Sequence, residues 1–98
     1  MKVFRIPLEF EWDNGNRDKN FIKHKVMDSE CEEVLFDHLK KMLNDLLHSG
    51  SEERYVVIGK TKNKRLLFIV FTMRKHKIRV LSARDLNRKE RHLYEEET

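Results

Sequence analysis

The first apolar segment of the chain alternates with polar residues and is interrupted by a proline. Its apolar positions run from Val3 to Trp12, and Pro7 lies near the middle. Because proline has no backbone N–H to donate, this pattern predicts a short edge strand rather than a central one.

A mostly polar helix is predicted next. Asp13 is a typical capping residue, and we expect the body of the helix to run from about Asn16 to His24. Phe21 and Ile22 supply only a modest buried face.

A second helix is predicted from Ser29, because Glu32 follows at the spacing of a capping box. Apolar residues at helical spacing then continue as far as Gly50. They are Leu35, Leu39, Met42, Leu43, Leu46 and Leu47. The local pattern alone therefore favours one long helix.

Three strands are predicted in the second half of the chain. They are Tyr55 to Thr61, Leu66 to Phe71 and Ile78 to Ala83. The unbroken apolar run of the middle strand indicates that both its faces are covered. The connections have hairpin length, so the three strands form an antiparallel meander.

The segment from Leu86 to Tyr94 is charged and predicts a closing helix that docks on the sheet through its few apolar residues. The complete pattern predicts a single α+β domain over residues 1–98. Its order is an N-terminal strand and two helices, then the antiparallel meander, then the C-terminal helix.

Strict alternation along the last strand divides its side chains between two faces. One face carries Arg79, Leu81 and Ala83, and the other carries Ile78, Val80, Ser82 and Arg84. The two arginines are therefore predicted to be separate, although Arg84 lies near a change of chain direction and can swing towards Arg79 and Arg54.

Charge is unevenly distributed, although the whole chain has 21 lysines and arginines against 17 acidic residues. From Arg54 to Arg84, 31 residues contain ten lysines and arginines and no acidic residue. Clustered cations favour a polyanion such as nucleic acid, because phosphate contacts release counterions. The alternatives are a solvated sheet edge, or arginines paired with the acidic tail Glu95-Glu96-Glu97.

Composition limits the class of protein. A chain of 98 residues with 39% apolar and 39% charged residues indicates one small folded domain. Cys31 is the single cysteine, and no metal-ligand pattern accompanies it. Neither a signal peptide nor a membrane span of roughly 20 apolar residues is predicted. We expect a cytoplasmic protein without a cofactor, a metal or a membrane partner.

Lys23 and His24 are the one other pair that suggests catalysis, since histidine titrates near neutrality and can transfer a proton. Cations are also favoured in the last turn of any helix, which is a purely structural explanation. Glycine-rich phosphate loops, nucleophile elbows and acidic metal clusters do not occur in the sequence.

Four blocks of sequence together resemble one known family. They are Phe10-Glu11-Trp12-Asp13, Asn20 to Val26, Glu53 to Gly59 and Ile78 to Arg84, followed by Arg88, Glu90, Arg91 and Tyr94. In this order and spacing the chain resembles the BrnT family of ribonuclease toxins from type II toxin-antitoxin systems. The resemblance implies a RelE-like fold, metal-independent cleavage of RNA, and a BrnA-type antitoxin that binds operator DNA.

The chain departs from the family pattern at three positions, where Asn14, Asn16 and Lys25 replace a proline, a lysine and a glycine. Lys25 matters most, because glycine readily adopts the left-handed conformation that ends a helix. The resemblance also implies a strand from Lys40 to Leu43 and a loop from Asp45 to Ser49, against the long helix that periodicity predicts.

The basic run and the resemblance together imply roles for nine residues. His24 is the expected proton-transfer residue. Lys23 and Arg54 are expected to position phosphate. Arg79 and Arg84 are expected to stabilise the charge that develops when a 2′-hydroxyl attacks the phosphodiester. Further substrate contacts are expected from Thr72, Ser82, Lys60 and Arg65.

Two other interpretations use the same basic surface without catalysis. One is a module that binds nucleic acid or an acidic partner, and the other is a pure interaction scaffold. Binding to a polyanion is salt-sensitive in every case, so affinity does not separate them from a nuclease. Turnover of RNA separates them, because only a nuclease cleaves its ligand.

Overall fold

A computed structural model describes residues 8–49 and 52–96, with the backbone alone for residues 44–49. The elements are α1 (Lys19–His24), α2 (Asp28–Leu35), β1 (Lys41–Ser49), β2 (Glu52–Lys60), β3 (Leu66–Arg74), β4 (Lys77–Asp85) and α3 (Arg88–Glu95). The strands form one antiparallel sheet in the order β1-β2-β3-β4. The α+β class is confirmed, with four strands in the sheet where three were predicted. None of the described helices is long and apolar enough to cross a membrane.

The main core lies between α2 and one face of the sheet, which we call the α2 face. Its buried members are Val26, Cys31, Val34, Leu35, Val57, Leu67, Ile69, Phe71, Ile78, Val80 and Ala83. Removing the valine, leucine, isoleucine and phenylalanine side chains of this set from water stabilises the fold by roughly 1.5–3 kcal/mol each. Strand β3 is buried on both faces, as its unbroken apolar run predicts.

A smaller cluster on the opposite side, the α3 face, packs Ile58 and Leu66 against Leu86 and Tyr94. The closing helix is confirmed there, and Asn87 caps it. Asn87 Oδ1 accepts a hydrogen bond from the backbone N–H of Glu90, and Glu90 Oε1 accepts one from the backbone N–H of Asn87, each at 2.9 Å. This reciprocal pair fixes the position of the first turn of α3.

The first helix begins at Lys19, not at the predicted Asn16, and Asp13 does not cap it. Asp13 Oδ1 instead accepts a hydrogen bond from Gly15 N at 2.8 Å and closes a turn. Asn16 is buried, and its Nδ2 donates a hydrogen bond to the carbonyl of Val80 at 3.1 Å. The polar residues before α1 therefore attach the chain to the outer edge of β4.

The second helix begins one residue before Ser29, and the predicted capping box is wrong. Met27 precedes the helix, and its N–H donates to Glu30 Oε1 at 2.9 Å. Glu32 has a different role, because its Oε2 accepts a hydrogen bond from Trp12 Nε1 at 2.7 Å. This contact joins the N-terminal segment to α2.

The long helix predicted from Leu35 towards Gly50 is wrong, because α2 ends at Leu35 and residues 41–49 form β1. Asp37 fixes the change of direction, since its carboxylate accepts hydrogen bonds from the N–H groups of Leu39 and Lys60, at 3.0 and 2.8 Å. Pairing with β2 then satisfies the backbone of this segment and overrides its helical spacing of leucines.

The family resemblance implied a strand followed by a loop in this segment, and this prediction is confirmed in part. The strand predicted from Lys40 to Leu43 is confirmed from Lys41 onwards, but the loop from Asp45 to Ser49 is wrong, since the strand continues to Ser49. The register of pairing shifts between Leu43 and Leu47.

The predicted N-terminal strand from Val3 to Trp12 lies partly outside the described residues. Within them, Phe10 forms an isolated parallel bridge with Ile78. Ile78 donates its N–H to the carbonyl of Glu9 and accepts from the N–H of Glu11, both at 2.8 Å. This segment covers the outer edge of β4 and protects it from pairing with another chain.

Candidate functional site

An irregularity in β4 changes which of its side chains share a face. Val70 pairs with Ser82, but the next residue, Phe71, pairs with Val80. Leu81 is therefore an extra residue opposite that step of β3. A β-bulge of this kind interrupts the alternation of side chains along the strand.

The bulge places Arg79, Ser82 and Arg84 on one face. Arg79 pairs with Thr72 and Arg84 pairs with Phe68, and directly paired residues of antiparallel strands project to the same side. Thr72 and Phe68 are four residues apart on a regular strand, so both project from the α3 face. The alternation that separated Arg79 from Arg84 is therefore wrong.

Arg84 is held from three directions. Its Nη1 and Nη2 donate to the two carboxylate oxygens of Glu90 at 2.8 and 2.9 Å, and Nη1 also donates to the carbonyl of Asp85 at 3.1 Å. Its guanidinium carbon lies 4.1 Å from the centroid of the Phe68 ring. Among the described residues, nothing accepts from Nε or from the second N–H of Nη2, so that edge of the guanidinium stays open.

The hydrogen bonds from Arg84 hold the pKa of Glu90 below its ordinary value, although partial burial of the carboxylate opposes them. The same bonds raise the pKa of Arg84. The side chain of Arg84 is 38% exposed, so solvent reaches it despite this pairing.

Arg79 is held in the same way by the N-terminal segment. Its Nη1 and Nη2 donate to the carboxylate of Asp13 at 2.8 and 3.0 Å, and Nη1 also donates to Glu11 Oε1 at 3.0 Å. The side chain is 11% exposed. Within the part of the chain that the structure describes, the edge formed by Nε and Nη2 again has no acceptor. Both arginines therefore present the same pair of unused donors.

Arg54 and Thr72 lie beside Arg79 on the sheet. Arg54 precedes Tyr55, which pairs with Phe71, so Arg54 lies next to Thr72 on the α3 face. Its Nε is buried and has no hydrogen-bond partner among the described residues. Thr72 is buried, and its hydroxyl donates to the carbonyl of Glu53 at 2.8 Å. That contact gives Thr72 a structural role between β3 and β2.

Arg65 lies at the opposite end of the sheet and uses all five of its N–H donors. Two bonds reach the Asp85 carboxylate, at 2.7 and 3.1 Å, and one reaches Glu30 Oε1 at 3.1 Å. The others reach the carbonyls of Lys25 and His24 at 2.6 and 3.1 Å. With no donor left for a substrate, Arg65 acts as a clamp between α1, α2 and the end of β4.

Lys23 and His24 are exposed on the last turn of α1, and no ion pair or hydrogen bond from either side chain is found among the described residues. Arg65 binds the carbonyl of His24 and the carboxylate of Asp85 together, so His24 lies beside the residue that follows Arg84. Arg79 and Arg54 therefore lie at one end of β4, and Arg84 lies near the other end, where α1 also ends. Asp85 pairs with Leu67, so it projects from the α2 face while Arg84 projects from the α3 face.

The turn after α1 has the conformation that glycine favours, although Lys25 occupies it. Lys25 has a φ of 59° and a ψ of 33°. Its N–H donates to the carbonyl of Phe21, and the N–H of Val26 donates to that of Asn20, at 3.0 and 3.1 Å. The bond from Lys25 to Phe21 is the one that closes the αL ending of a helix. The replacement of glycine by lysine therefore leaves the direction of the chain unchanged.

Ser82 is exposed between the two arginines on β4. Lys60 lies elsewhere, with Nζ 5.6 Å from the centroid of the Tyr94 ring. Lys60 also lines a groove of ≈ 450 Å³ together with Glu32, Phe36 and other residues near α2. None of the five predicted catalytic residues lines this groove.

The residues that sequence reasoning missed are the carboxylates that hold the arginines. The acidic tail was the alternative partner that the sequence offered, but the described partners are Glu90 for Arg84, and Asp13 with Glu11 for Arg79. Asp13 and Arg79 are 66 positions apart, and no spacing in the sequence links them.

The cysteine and the possible metal ligands are the other groups that could carry chemistry. Cys31 is buried, and burial raises the pKa of its thiol to about 12, so it stays protonated and is a poor nucleophile at neutral pH. Within residues 8–49 and 52–96, no group of three or more His, Cys, Asp or Glu side chains is arranged to hold a metal ion.

The fold and the site define a small α+β protein whose sheet presents carboxylate-anchored arginines on one face. The family model for the ribonuclease toxin BrnT of type II toxin-antitoxin systems matches residues 12–90. The chain belongs to this family, which confirms the resemblance seen in its sequence. Membership implies an RNA substrate and an antitoxin partner. A comparison with curated proteins found no match.

Proposed function

We propose that the protein is a metal-independent endoribonuclease that binds single-stranded RNA along β4 on the α3 face. One observation carries the proposal: Arg79 and Arg84 share this face, and each keeps an open edge formed by Nε and Nη2. Two parallel N–H donors match two oxygens of a phosphate, which makes such an edge suited to a phosphodiester.

The two arginines have different roles in this proposal. Arg84 binds the scissile phosphate, because it is the more exposed of the two and lies at the end of β4 where α1 also ends. Arg79 binds a second phosphate of the same strand, since the partners of the two arginines, Thr72 and Phe68, are four residues apart on β3, a separation of roughly 13 Å. Ser82 contacts the substrate between them, and Arg54, beside Thr72 on the same face, adds positive charge near the phosphate on Arg79.

The reaction is an attack by the 2′-hydroxyl on the adjacent phosphorus. The bond from the 2′-oxygen to phosphorus forms, and the bond from phosphorus to the 5′-oxygen breaks. The open edge of Arg84 stabilises the extra negative charge of the pentacovalent transition state. His24 takes the proton of the 2′-hydroxyl, Lys23 contacts the phosphate from the same turn, and a proton from solvent neutralises the leaving 5′-oxygen. The products carry a 2′,3′-cyclic phosphate and a 5′-hydroxyl.

Cleavage of a single-stranded RNA in excess chelator tests this function. We expect cyclic-phosphate ends, no cleavage where the 2′-hydroxyl of the substrate is replaced by hydrogen, and losses of ~10²- to 10⁴-fold for Arg84→Ala and His24→Ala. Arg88→Ala removes an exposed arginine from α3 and is the matched control. RNA binding without any turnover would favour the non-catalytic binding module instead.

The proposal extends to the partner and the setting of the reaction. A BrnA-type antitoxin covers the arginines of β4 with acidic or hydrogen-bonding groups, and operator DNA is contacted only through the antitoxin complex. The protein acts in the cytoplasm. Its RelE-like classification is supported by the helices that precede an antiparallel meander. If the cognate antitoxin binds the protein and leaves cleavage unchanged, this assignment of its binding surface is wrong.

A further inference from the structure

The carboxylate of Glu90 connects α3 with Arg84. Its Oε1 accepts from the backbone N–H of Asn87 at 2.9 Å and from Arg84 Nη1 at 2.8 Å, while Oε2 accepts from Arg84 Nη2 at 2.9 Å. Phe68 supports the flat side of the same guanidinium, 4.1 Å from its ring centroid. One helix terminus and one aromatic ring therefore determine where the guanidinium lies.

We propose that Glu90 is a positioning residue for the cleavage reaction, and that it acts by orienting the guanidinium of Arg84. The proposal rests on the function proposed above, in which Arg84 contacts the scissile phosphate. Glu90 itself touches no substrate. Phe68 acts with it, because a planar cation between a ring and a carboxylate fork has little freedom to rotate.

The geometry distinguishes positioning from masking. A masking carboxylate would occupy the donors that a phosphate needs, whereas Glu90 binds Arg84 end-on through one N–H of Nη1 and one of Nη2. The carbonyl of Asp85 takes the other N–H of Nη1. The complete edge formed by Nε and Nη2 remains for the phosphate. Glu90 thus selects the edge that is presented to the substrate.

Steady-state cleavage of single-stranded RNA in chelator tests the proposal with Glu90→Gln. The variant keeps the size of the side chain and an acceptor for Arg84 but loses the charged fork. We expect kcat to fall about tenfold to a hundredfold, as for a small misplacement of a group that acts on the transition state. Binding of a 2′-deoxy analogue that is not cleaved should not weaken, because a negative charge has been removed from the site.

Asn87→Ala is the matched control for effects that pass through the helix. It removes the side-chain cap of α3 but keeps the backbone N–H that donates to Glu90 Oε1, so it should lower the thermal midpoint and leave kcat unchanged. Phe68→Leu provides a second, uncharged perturbation of the same guanidinium. It keeps an apolar side chain in the cluster, removes the ring beneath Arg84, and should also lower kcat without weakening binding of the analogue.

The double variant of Glu90→Gln and Arg84→Ala completes the test. If Glu90 acts through Arg84, the double variant is no slower than Arg84→Ala alone. A Glu90→Gln protein with wild-type or higher kcat, beside an inactive Arg84→Ala protein, overturns this inference and leaves the proposed function standing. A fully active Arg84→Ala protein overturns the role of Arg84 and the inference with it.

Discussion

Arg65 forms a bidentate ion pair with Asp85, in which Nε and Nη2 donate to the two carboxylate oxygens at 2.7 and 3.1 Å. The same guanidinium holds the carbonyls of His24 and Lys25, so it joins the end of β4 to the end of α1. The sequence suggested an RNA-contacting residue at this position. Its contacts are those of an internal clamp.

We therefore expect Arg65→Gln to act on stability. Loss of the charged fork should lower the free energy of unfolding by about 1–2 kcal/mol, a value reduced by the partial exposure of Arg65. Lys62→Gln, which removes a neighbouring exposed cation, should change it by less than about 0.5 kcal/mol. Urea denaturation measures both. An Arg65→Gln protein with wild-type stability and selectively weakened RNA binding would support the substrate role instead.

The turn at Gly15 should influence RNA binding through Arg79. A Cβ at Gly15 would lie 2.7 Å from Arg79 Nη2 and 3.0 Å from Asp13 Oδ1. Gly15→Ala therefore displaces the guanidinium without changing any charge. We expect binding of a 2′-deoxy RNA analogue to weaken about tenfold, which corresponds to ~1.4 kcal/mol.

Asn14→Ala is the control for the Gly15 variant, because it changes an exposed side chain of the same turn and should leave binding unchanged. Equal binding by the wild type and Gly15→Ala would mean that Arg79 tolerates displacement or does not bind phosphate. Arg79→Ala, measured in the same experiment, separates these two explanations.

Lys25→Gly should stabilise the protein. A residue other than glycine in the left-handed conformation costs roughly 1–2 kcal/mol, and loss of the contact between Lys25 Nζ and the Phe21 ring offsets part of the gain. We expect a net increase of about 1 kcal/mol in the free energy of unfolding. Lys23→Gly, inside the last turn of α1, should lower it by about the same amount.

Cleavage by Lys25→Gly should match the wild type, because the lysine already follows the path that glycine would take. A large gain in cleavage would show instead that Lys25 impairs activity in this chain.

Stability should decrease in acid because carboxylates are paired with arginines, and two of them are Asp85 and Glu90. Hydrogen bonds from Arg65 hold the pKa of Asp85 below its ordinary 3.8, and those from Arg84 hold the pKa of Glu90 below its ordinary 4.5. A carboxyl group with a lowered pKa contributes its full stabilisation above its unfolded-state pKa. That contribution is lost as the pH falls through the folded-state pKa.

Thermal midpoints measured from pH 7 down to pH 3 should therefore fall mainly below about pH 4.5. Asp85→Asn should begin with a lower midpoint at pH 7 and lose less of it on acidification. Glu95→Gln is the control, since Glu95 is exposed and has no ion pair among the described residues. Parallel curves for the wild type and Asp85→Asn would contradict the assignment.

Much of the fold follows from local pattern. The apolar run at Leu66 predicts a strand that is covered on both faces, and the short connections between strands predict hairpins. The family blocks identify the chain, because their order and spacing are properties of the sequence. Local periodicity fails at residues 41–49, where leucines at helical spacing form β1 because β2 offers backbone partners.

The sequence determined the class of the fold, the family and a set of candidate cations, since each depends on residue type and near spacing. Only the tertiary structure decided which cations act together. The extra residue at Leu81 reverses the alternation of β4 and places Arg79 and Arg84 on one face. The chain then brings Asp13 and Glu90 to these arginines from different elements. No local pattern encodes the contact between Asp13 and Arg79, because it joins residues 66 positions apart that only packing brings together.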